Sequence, residues 1–318
     1  MRYRQLGHSG LTVSVVGLGS NNFGGRLDVA GAKAVMDAAI DHGINFIDTS
    51  DSYGNMGGSE EIIGEIVKGR RDSVLLATKF GSDMGGSNGP DWGARASRLY
   101  ITRAVEASLR RLRTDWIDLY QLHRPDRVTP FEETLGALDD LVRAGKIRYA
   151  GSSNLVAWQV TEAAWLAKER RCTAFVSAQN HYSLLSRQVE SQLVPACGSA
   201  GVSVIPFFPL EGGLLTGKWR QGEEPPAGSR LAGAWGRGMA ERIVGGFEKV
   251  EALRTLAAEA GVSLAALAIG GLAAQPAVGT VIAGAMTAEQ AIDNAAAGDW
   301  VPTPEVLAAI DAITPRMG

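Results

Sequence analysis

Residues 44–54, Ile-Asn-Phe-Ile-Asp-Thr-Ser-Asp-Ser-Tyr-Gly, hold a short apolar run that stops at Asp48 and opens into a polar loop carrying Tyr53. The same grammar recurs along the chain. Apolar runs at 15–18, 44–47, 74–77, 117–122, 147–150, 175–177, 202–205 and 280–283 make eight. Helical patterns lie between them, such as Ile101, Val105, Leu109 and Leu112, or Phe131, Leu135, Leu138 and Val142, each tracing one apolar stripe. Strands that are apolar without alternation are buried on both faces, which predicts a parallel sheet wrapped by helices. Eight strand–helix units close it, giving an α/β fold of the (β/α)8 TIM-barrel type. An N-terminal β-hairpin precedes the barrel: Tyr3 to Leu6, a turn at Gly7 to Gly10, then Val13 and Val15. The rival is a doubly wound open sheet, for which Gly17-Leu18-Gly19 is the tempting signal. A dinucleotide fingerprint needs glycine at its third place and an immediate helix; here residue 22 is Asn and helical periodicity resumes near Val29.

Composition narrows the function. The 318 residues are 45% hydrophobic and 20% charged, and 31 basic against 34 acidic residues leave a net charge of -3. No basic patch suggests nucleic acid or anionic membrane. The 260–288 stretch lacks charge, but Gly270, Gly271, Gln275 and Pro276 interrupt it, so a buried helix, turn and strand are expected instead of a membrane span. Two cysteines, Cys172 and Cys197, build no disulfide framework and no zinc-type cluster, a usage suited to a cytoplasmic setting. Residues 1–318 read as a single domain. The connection at 222–246, rich in Gly, Pro and Arg, reads as a long loop covering a ligand. Thr129, Pro130 and Glu132 fit an N-cap, an N1 proline and a capping-box acid.

In such a barrel the chemistry lies at the C-terminal ends of the strands. Asp48 and Tyr53 follow the second run, Lys79 the third, and His123-Arg-Pro-Asp126 the fourth. Singly, each has an ordinary structural explanation: a turn cap, a surface ring, a snorkelling lysine, a core histidine. Together at neighbouring strand ends, they suit proton delivery to a carbonyl oxygen while a hydride reaches the carbon. A phenol with a reference pKa of about 10 is a weak acid at neutral pH. An ammonium about 4 Å away in an effective dielectric of about 20 favours ionisation by about 4 kcal/mol, or about three pKa units. Asp48 would keep a buried Lys79 charged, and His123 would hold the substrate oxygen beside Tyr53. The hydride donor this group needs is a nicotinamide or a flavin.

These residues sit in ordered motifs: FIDTSDSYGN at 46–55, GSEEIIG at 58–64, LATKFG at 76–81, DLYQLHRPD at 118–126, GKIRYAGSSN at 145–154 and GGLLTGK at 212–218. In these the chain resembles the aldo-keto reductases over essentially its whole length, and is similar to the bacterial branch that also resembles potassium-channel β-subunits. The resemblance implies the barrel, the hairpin floor and NADP(H) extended across the barrel mouth. It puts Asp48, Tyr53, Lys79 and His123 at the catalytic positions. Ser153, Asn154 and Gln179 fall where the nicotinamide carboxamide is held, with Tyr182 nearby; Ser153 and Asn154 would also suit an N-cap for the next helix. Pro209, Leu210 and Gly212 fall on the loop that approaches the pyrophosphate, with Lys218 supplying charge. Gly284, Gln290 and Asn294 fall at the adenosine end. Where many members carry an arginine for the 2′-phosphate, this chain has Met286, between Ala285 and Thr287. Another cation would be needed there, Lys218, Arg230 or Arg237, and NAD(H) stays open beside NADP(H). Phe23, Trp92, Trp219 and Trp235 are candidates for walls of the substrate pocket, with packing roles equally open. The partner implied is a small-molecule carbonyl. An NAD-dependent sugar or alcohol dehydrogenase and a non-enzymatic, cofactor-sensing channel-β-like subunit are the alternatives, and the oligomeric state is open.

Overall fold

The computed structural model describes residues 1–220, 223–225, 229, 232 and 246–316. An antiparallel hairpin, β1 (Tyr3–Gln5) with β2 (Thr12–Ser14), precedes eight strands. These are β3 (Val16–Gly19), β4 (Phe46–Asp48), β5 (Leu75–Phe80), β6 (Ile117–Leu122), β7 (Ile147–Ser153), β8 (Phe175–His181), β9 (Ser203–Phe207) and β10 (Val281–Gly284). They pair in parallel in the order β10-β3-β4-β5-β6-β7-β8-β9. The seam between β9 and β10 is spanned by one parallel bridge, Val204 with Val278, where Val204 N donates to Ala277 O at 2.8 Å and Gly279 N to Val204 O at 2.9 Å. The sheet is thus a nearly closed barrel, and with helices between its strands the fold is a (β/α)8 TIM barrel.

Two apolar clusters show why the strands read as unbroken apolar runs. Outward residues such as Ile47, Leu76, Tyr120 and Ala178 join the helices in one cluster. Inward residues Phe46, Ala77, Leu119, Ile205 and Ile282 form the other with Leu6, Leu11 and Val13 of the hairpin, which floors the barrel. Side chains alternate along a strand. An inward Phe46 therefore turns Asp48 inward, Ala77 does the same for Lys79, and Leu119 for Gln121. The interior is apolar at the floor and polar at the mouth.

The expected helices are present, with one boundary corrected. The helix expected to start from a Thr129 cap spans Phe131–Arg143 and is capped by the Pro130 backbone with no side-chain bond. Thr129 instead gives its hydroxyl to Asp126 Oδ2 at 2.9 Å, and Glu132 pairs with Arg170. One acceptor, Asp126, and one donor, Arg170, both outside the helix, have taken the groups that a capping box would use. The uncharged 260–288 stretch resolves into a buried helix, Leu264–Ala273, and then β10. Among the described residues no single helix is long and apolar enough to cross a membrane; the one pair passing that test together, Gly246–Glu259 and Leu264–Ala273, is bent by 88°. Cys172 and Cys197 form no disulfide.

One close approach fixes the helix layer. Helix Tyr53–Ile66 crosses helix Arg98–Leu112 at Gly64, where an added Cβ would lie 2.4 Å from Arg111 O and 2.7 Å from Leu112 C. Both obstacles are backbone, so Gly64→Ala must push the helices apart. It is expected to lower stability by about 1–3 kcal/mol, read as a shift in the denaturation midpoint; an unchanged midpoint would show that the crossing has slack.

Candidate active site

The polar mouth opens into a cavity of about 1000 Å³ over the C-terminal ends of the strands. Asp48, Tyr53 and His123 line one end of the run of expected residues; Ser153, Asn154 and Gln179 follow, then Pro209, Leu210, Gly212 and Lys218, then Gly284, Met286, Gln290 and Asn294. Lys79 stands behind this wall, 0% exposed, with its Nζ donating to Asp48 Oδ2 at 2.6 Å and Thr49 O at 2.7 Å. It also hydrogen-bonds the Tyr53 side chain, and its Nζ lies 4.9 Å from the Tyr53 ring centroid. Burial disfavours the ammonium, but Asp48 and Tyr53 outweigh it and hold the Lys79 pKa above the ordinary lysine value. The second Asp48 oxygen, Oδ1, accepts from Gln179 Nε2 at 2.8 Å and Gln121 Nε2 at 3.1 Å. These donors satisfy the buried carboxyl group and fix its orientation.

His123 meets Tyr53 edge to face, ring centroids 5.9 Å apart. Burial, with Lys79 and Arg124 adding, pushes its pKa down to about 3, so the ring is neutral at physiological pH and carries one N–H. Its Nδ1 is 3.0 Å from both Ser50 Oγ and Ser82 Oγ. After Tyr53 the chain takes positive φ at Gly54 (65°), Asn55 (61°), Met56 (66°) and Gly57 (120°) before the helix resumes. For Asn55 and Met56 this conformation is costly.

The remaining positions are not all as expected. Ser153 Oγ donates to Gln179 O at 2.9 Å, and Asn154 Nδ2 to His123 O and Ser153 Oγ, both at 3.0 Å. Neither caps a helix, since the next one, Ala157–Arg170, starts from Val156. Tyr182, expected near the nicotinamide, does not line the cavity: it is buried, and its hydroxyl donates to Glu190 Oε1 at 2.6 Å. A carboxylate on the far side has drawn the phenol away. Gln290 Oε1 accepts from Met286 N at 2.9 Å, and Asn294 Nδ2 donates to Gly284 O at 3.3 Å, so both amides brace the loop beyond β10. Of the aromatic candidates, Trp219 lines the cavity, Phe23 is core, and Trp92 is 76% exposed and off the cavity wall. Arg230, Arg237 and Trp235, like most of the expected covering loop at 222–246, lie outside the described residues.

Residues missed in the sequence also line the cavity: Asn22, Arg26, Arg124, Phe207, Phe208 and Asp293. Phe207 ends β9 and stacks on His181 at 5.7 Å, with Phe208 edge-on to it at 5.1 Å. As an inward position at a strand end, Phe207 was within reach of the same parity rule that placed Asp48.

Barrel and mouth together define a (β/α)8-barrel protein whose converging polar groups sit at the C-terminal strand ends. The sequence pattern of the aldo/keto reductase family matches residues 15–315. Relatives include a probable voltage-gated potassium channel subunit beta of Oryza sativa subsp. japonica, 38% identical over 98% of this chain and 96% of the relative. An uncharacterized oxidoreductase, YrpG, of Bacillus subtilis (strain 168) is 38% identical over 100% of this chain and 97% of its own. The versiconal hemiacetal acetate reductase of Aspergillus parasiticus is 33% identical over 96% and 94%. The chain belongs to the aldo/keto reductase family.

Proposed function

We propose that this protein reduces an aldehyde or ketone to the alcohol using NADP(H), with Tyr53 as the general acid and Asp48, Lys79 and His123 completing the catalytic group. The observation that carries this reading is the buried Lys79–Asp48 pair set behind a cavity-facing Tyr53. A buried ammonium bonded to a phenol favours release of the phenolic proton. Asp48 holds Lys79 charged, and Gln121 and Gln179 hold Asp48. His123, neutral and beside Tyr53, donates to the same substrate oxygen and stabilises the charge that grows there.

The residues present suit a dinucleotide. The cavity runs from Tyr53 to Asn294, and Gly212 and Gly213 on its wall have φ of 65° and 117°, leaving the backbone there bare of side chains. Ser153, Asn154 and Gln179 would hold the carboxamide, Phe207 would offer its face to the ring, and Pro209, Leu210, Gly212 and Lys218 would face the pyrophosphate. Gly284, Met286, Gln290 and Asn294 would hold the adenosine end. When bound, the reduced nicotinamide supplies the hydride.

NAD(H) is the second reading for the cofactor, favoured by Met286 and by the acidic Asp293 on the same stretch of wall. A carboxylate suits a ribose hydroxyl better than a phosphate. Met286→Arg is expected to raise the ratio of kcat/KM with NADPH to that with NADH about tenfold or more, the worth of one charge-assisted hydrogen bond. An unmoved ratio would place 2′-phosphate recognition elsewhere on the wall. The rice relative motivates a third reading, a cofactor-sensing subunit without turnover, and a carbonyl panel assayed beside a search for a copurifying membrane protein separates it from the enzyme.

A further inference from the structure

Behind His123 stands a buried carboxyl group that carbonyl reduction as described leaves unused. Asp51 is 0% exposed. Its Oδ2 accepts from Asn88 Nδ2 at 3.0 Å, and that amide is oriented from its other side, where Asn88 Oδ1 accepts from Arg111 Nη1 at 3.3 Å. Its Oδ1 is 3.2 Å from Ser50 Oγ, which also accepts from Ser52 N at 3.2 Å and lies 3.0 Å from both His123 Nδ1 and Ser52 Oγ. A line of hydrogen bonds therefore runs from Asp51 in the dry interior, through Ser50, to the imidazole at the cavity.

Proton counting gives this line two settings. Ser50 has one hydroxyl hydrogen, and the Ser52 hydroxyl, 3.0 Å away on the cavity wall, gives its own hydrogen to Ser50 or to the cavity in either setting. When Asp51 is ionised, that hydrogen goes to the carboxylate; Ser50 then offers His123 only a lone pair, and the imidazole hydrogen sits on Nδ1. When Asp51 is protonated, Oδ2 is already filled by the Asn88 N–H, so the carboxyl hydrogen sits on Oδ1 and is given to Ser50. Ser50 turns its own hydrogen to Nδ1, and His123 carries its single hydrogen on Nε2. Ser82 Oγ, 3.0 Å from the same Nδ1, donates or accepts and follows either setting. Only the second setting leaves a neutral His123 with a donor for the cavity.

We propose that protonated Asp51 is a positioning residue: through Ser50 it holds His123 in the Nε2–H tautomer and so arms it as a donor to the substrate oxygen, a role that rests on the carbonyl-reduction reading. The charge state fits. Burial, with the Glu60 carboxylate adding and Arg111 opposing, lifts the Asp51 pKa to about 8. The groups facing it are Glu60 on helix Tyr53–Ile66, Arg111 and Tyr100 on helix Arg98–Leu112, Tyr120 on β6, and Lys79 on β5, whose carbonyl accepts from Asp51 N at 3.2 Å. Asp51 is thus protonated at neutral pH, and His123 loses its cavity-facing donor as pH rises through that value.

The test is ¹⁵N NMR of the histidine ring nitrogens in the full-length chain across the Asp51 titration, with His123 assigned by the signal missing from His123→Gln. The wild type is expected to pass from Nε2–H on the acid side to Nδ1–H on the alkaline side, and its kcat for carbonyl reduction to fall over the same range. Asp51→Asn supplies an amide N–H to Ser50 at every pH, so His123 should stay Nε2–H and that part of the pH profile should vanish, while any limb due to Tyr53 remains. Ser50→Ala, the second variant, should uncouple the ring from Asp51 and make the tautomer independent of pH. A wild-type tautomer that never changes, or a change that persists in Asp51→Asn or Ser50→Ala, overturns the relay. Carbonyl turnover with a constant tautomer would sink the relay alone. A tautomer change in a protein that reduces no carbonyl would uphold the relay and sink the function it is said to serve.

Discussion

Tyr53→Phe is expected to lose turnover by about 100- to 10,000-fold, the usual worth of a positioned general acid, while cofactor affinity stays close to wild type. The substitution deletes one oxygen. The ring remains to pack edge-on against His123, and the Lys79–Asp48 pair behind it is untouched, so the fold should not respond. What disappears is the proposed proton donor to the carbonyl oxygen. Fluorescence titration with the cofactor beside steady-state assays separates the two effects, and turnover near wild type would remove Tyr53 from the acid role.

Asp48→Ala should be damaging in a different way, because it strikes stability and chemistry together. Lys79 has no solvent to fall back on, and without Asp48 its ammonium keeps Thr49 O and Tyr53 as partners. An uncompensated buried charge costs about 3–5 kcal/mol, and the lysine relieves this by giving up its proton. Gln121 and Gln179 also lose their shared acceptor. A neutral Lys79 no longer favours phenolate, so kcat should collapse in the molecules that remain folded. Denaturation midpoints and kcat measured on Asp48→Ala and the closer isostere Asp48→Asn check both parts. If both quantities survive in Asp48→Ala, the pair is not what tunes Tyr53.

The strands were legible because barrel strands are apolar on both faces, and all eight runs fall on observed strands. Their C-terminal ends were harder. The runs expected at 147–150 and 175–177 continue to Ser153 and His181, since the strand goes on where its inward residues become polar to face the cavity. Hydrophobicity marks the floor of the barrel and falls silent at the mouth, which is where the site is. Tyr182 shows a second limit: a position carried over from a family resemblance does not fix which way a side chain turns, and Glu190, which claims it, lies in a separate element. Phe207 and Phe208 passed unremarked because aromatic residues at the end of an apolar run look like core. Asp51 was in plain view two residues from Tyr53, but its burial depends on Glu60, Asn88 and Arg111 arriving from distant parts of the chain.

The most direct test of the central claim is consumption of reduced nicotinamide, followed by its absorbance with NADPH and with NADH, across a panel of aldehydes, ketones, dicarbonyls and sugars. Wild type and Tyr53→Phe are run side by side, with the alcohol product quantified. Wild-type protein should consume cofactor in step with alcohol formed on at least one carbonyl, and Tyr53→Phe should bind the same cofactor while forming almost none. No carbonyl consumed by the wild type, or equal rates in the two proteins, would contradict it.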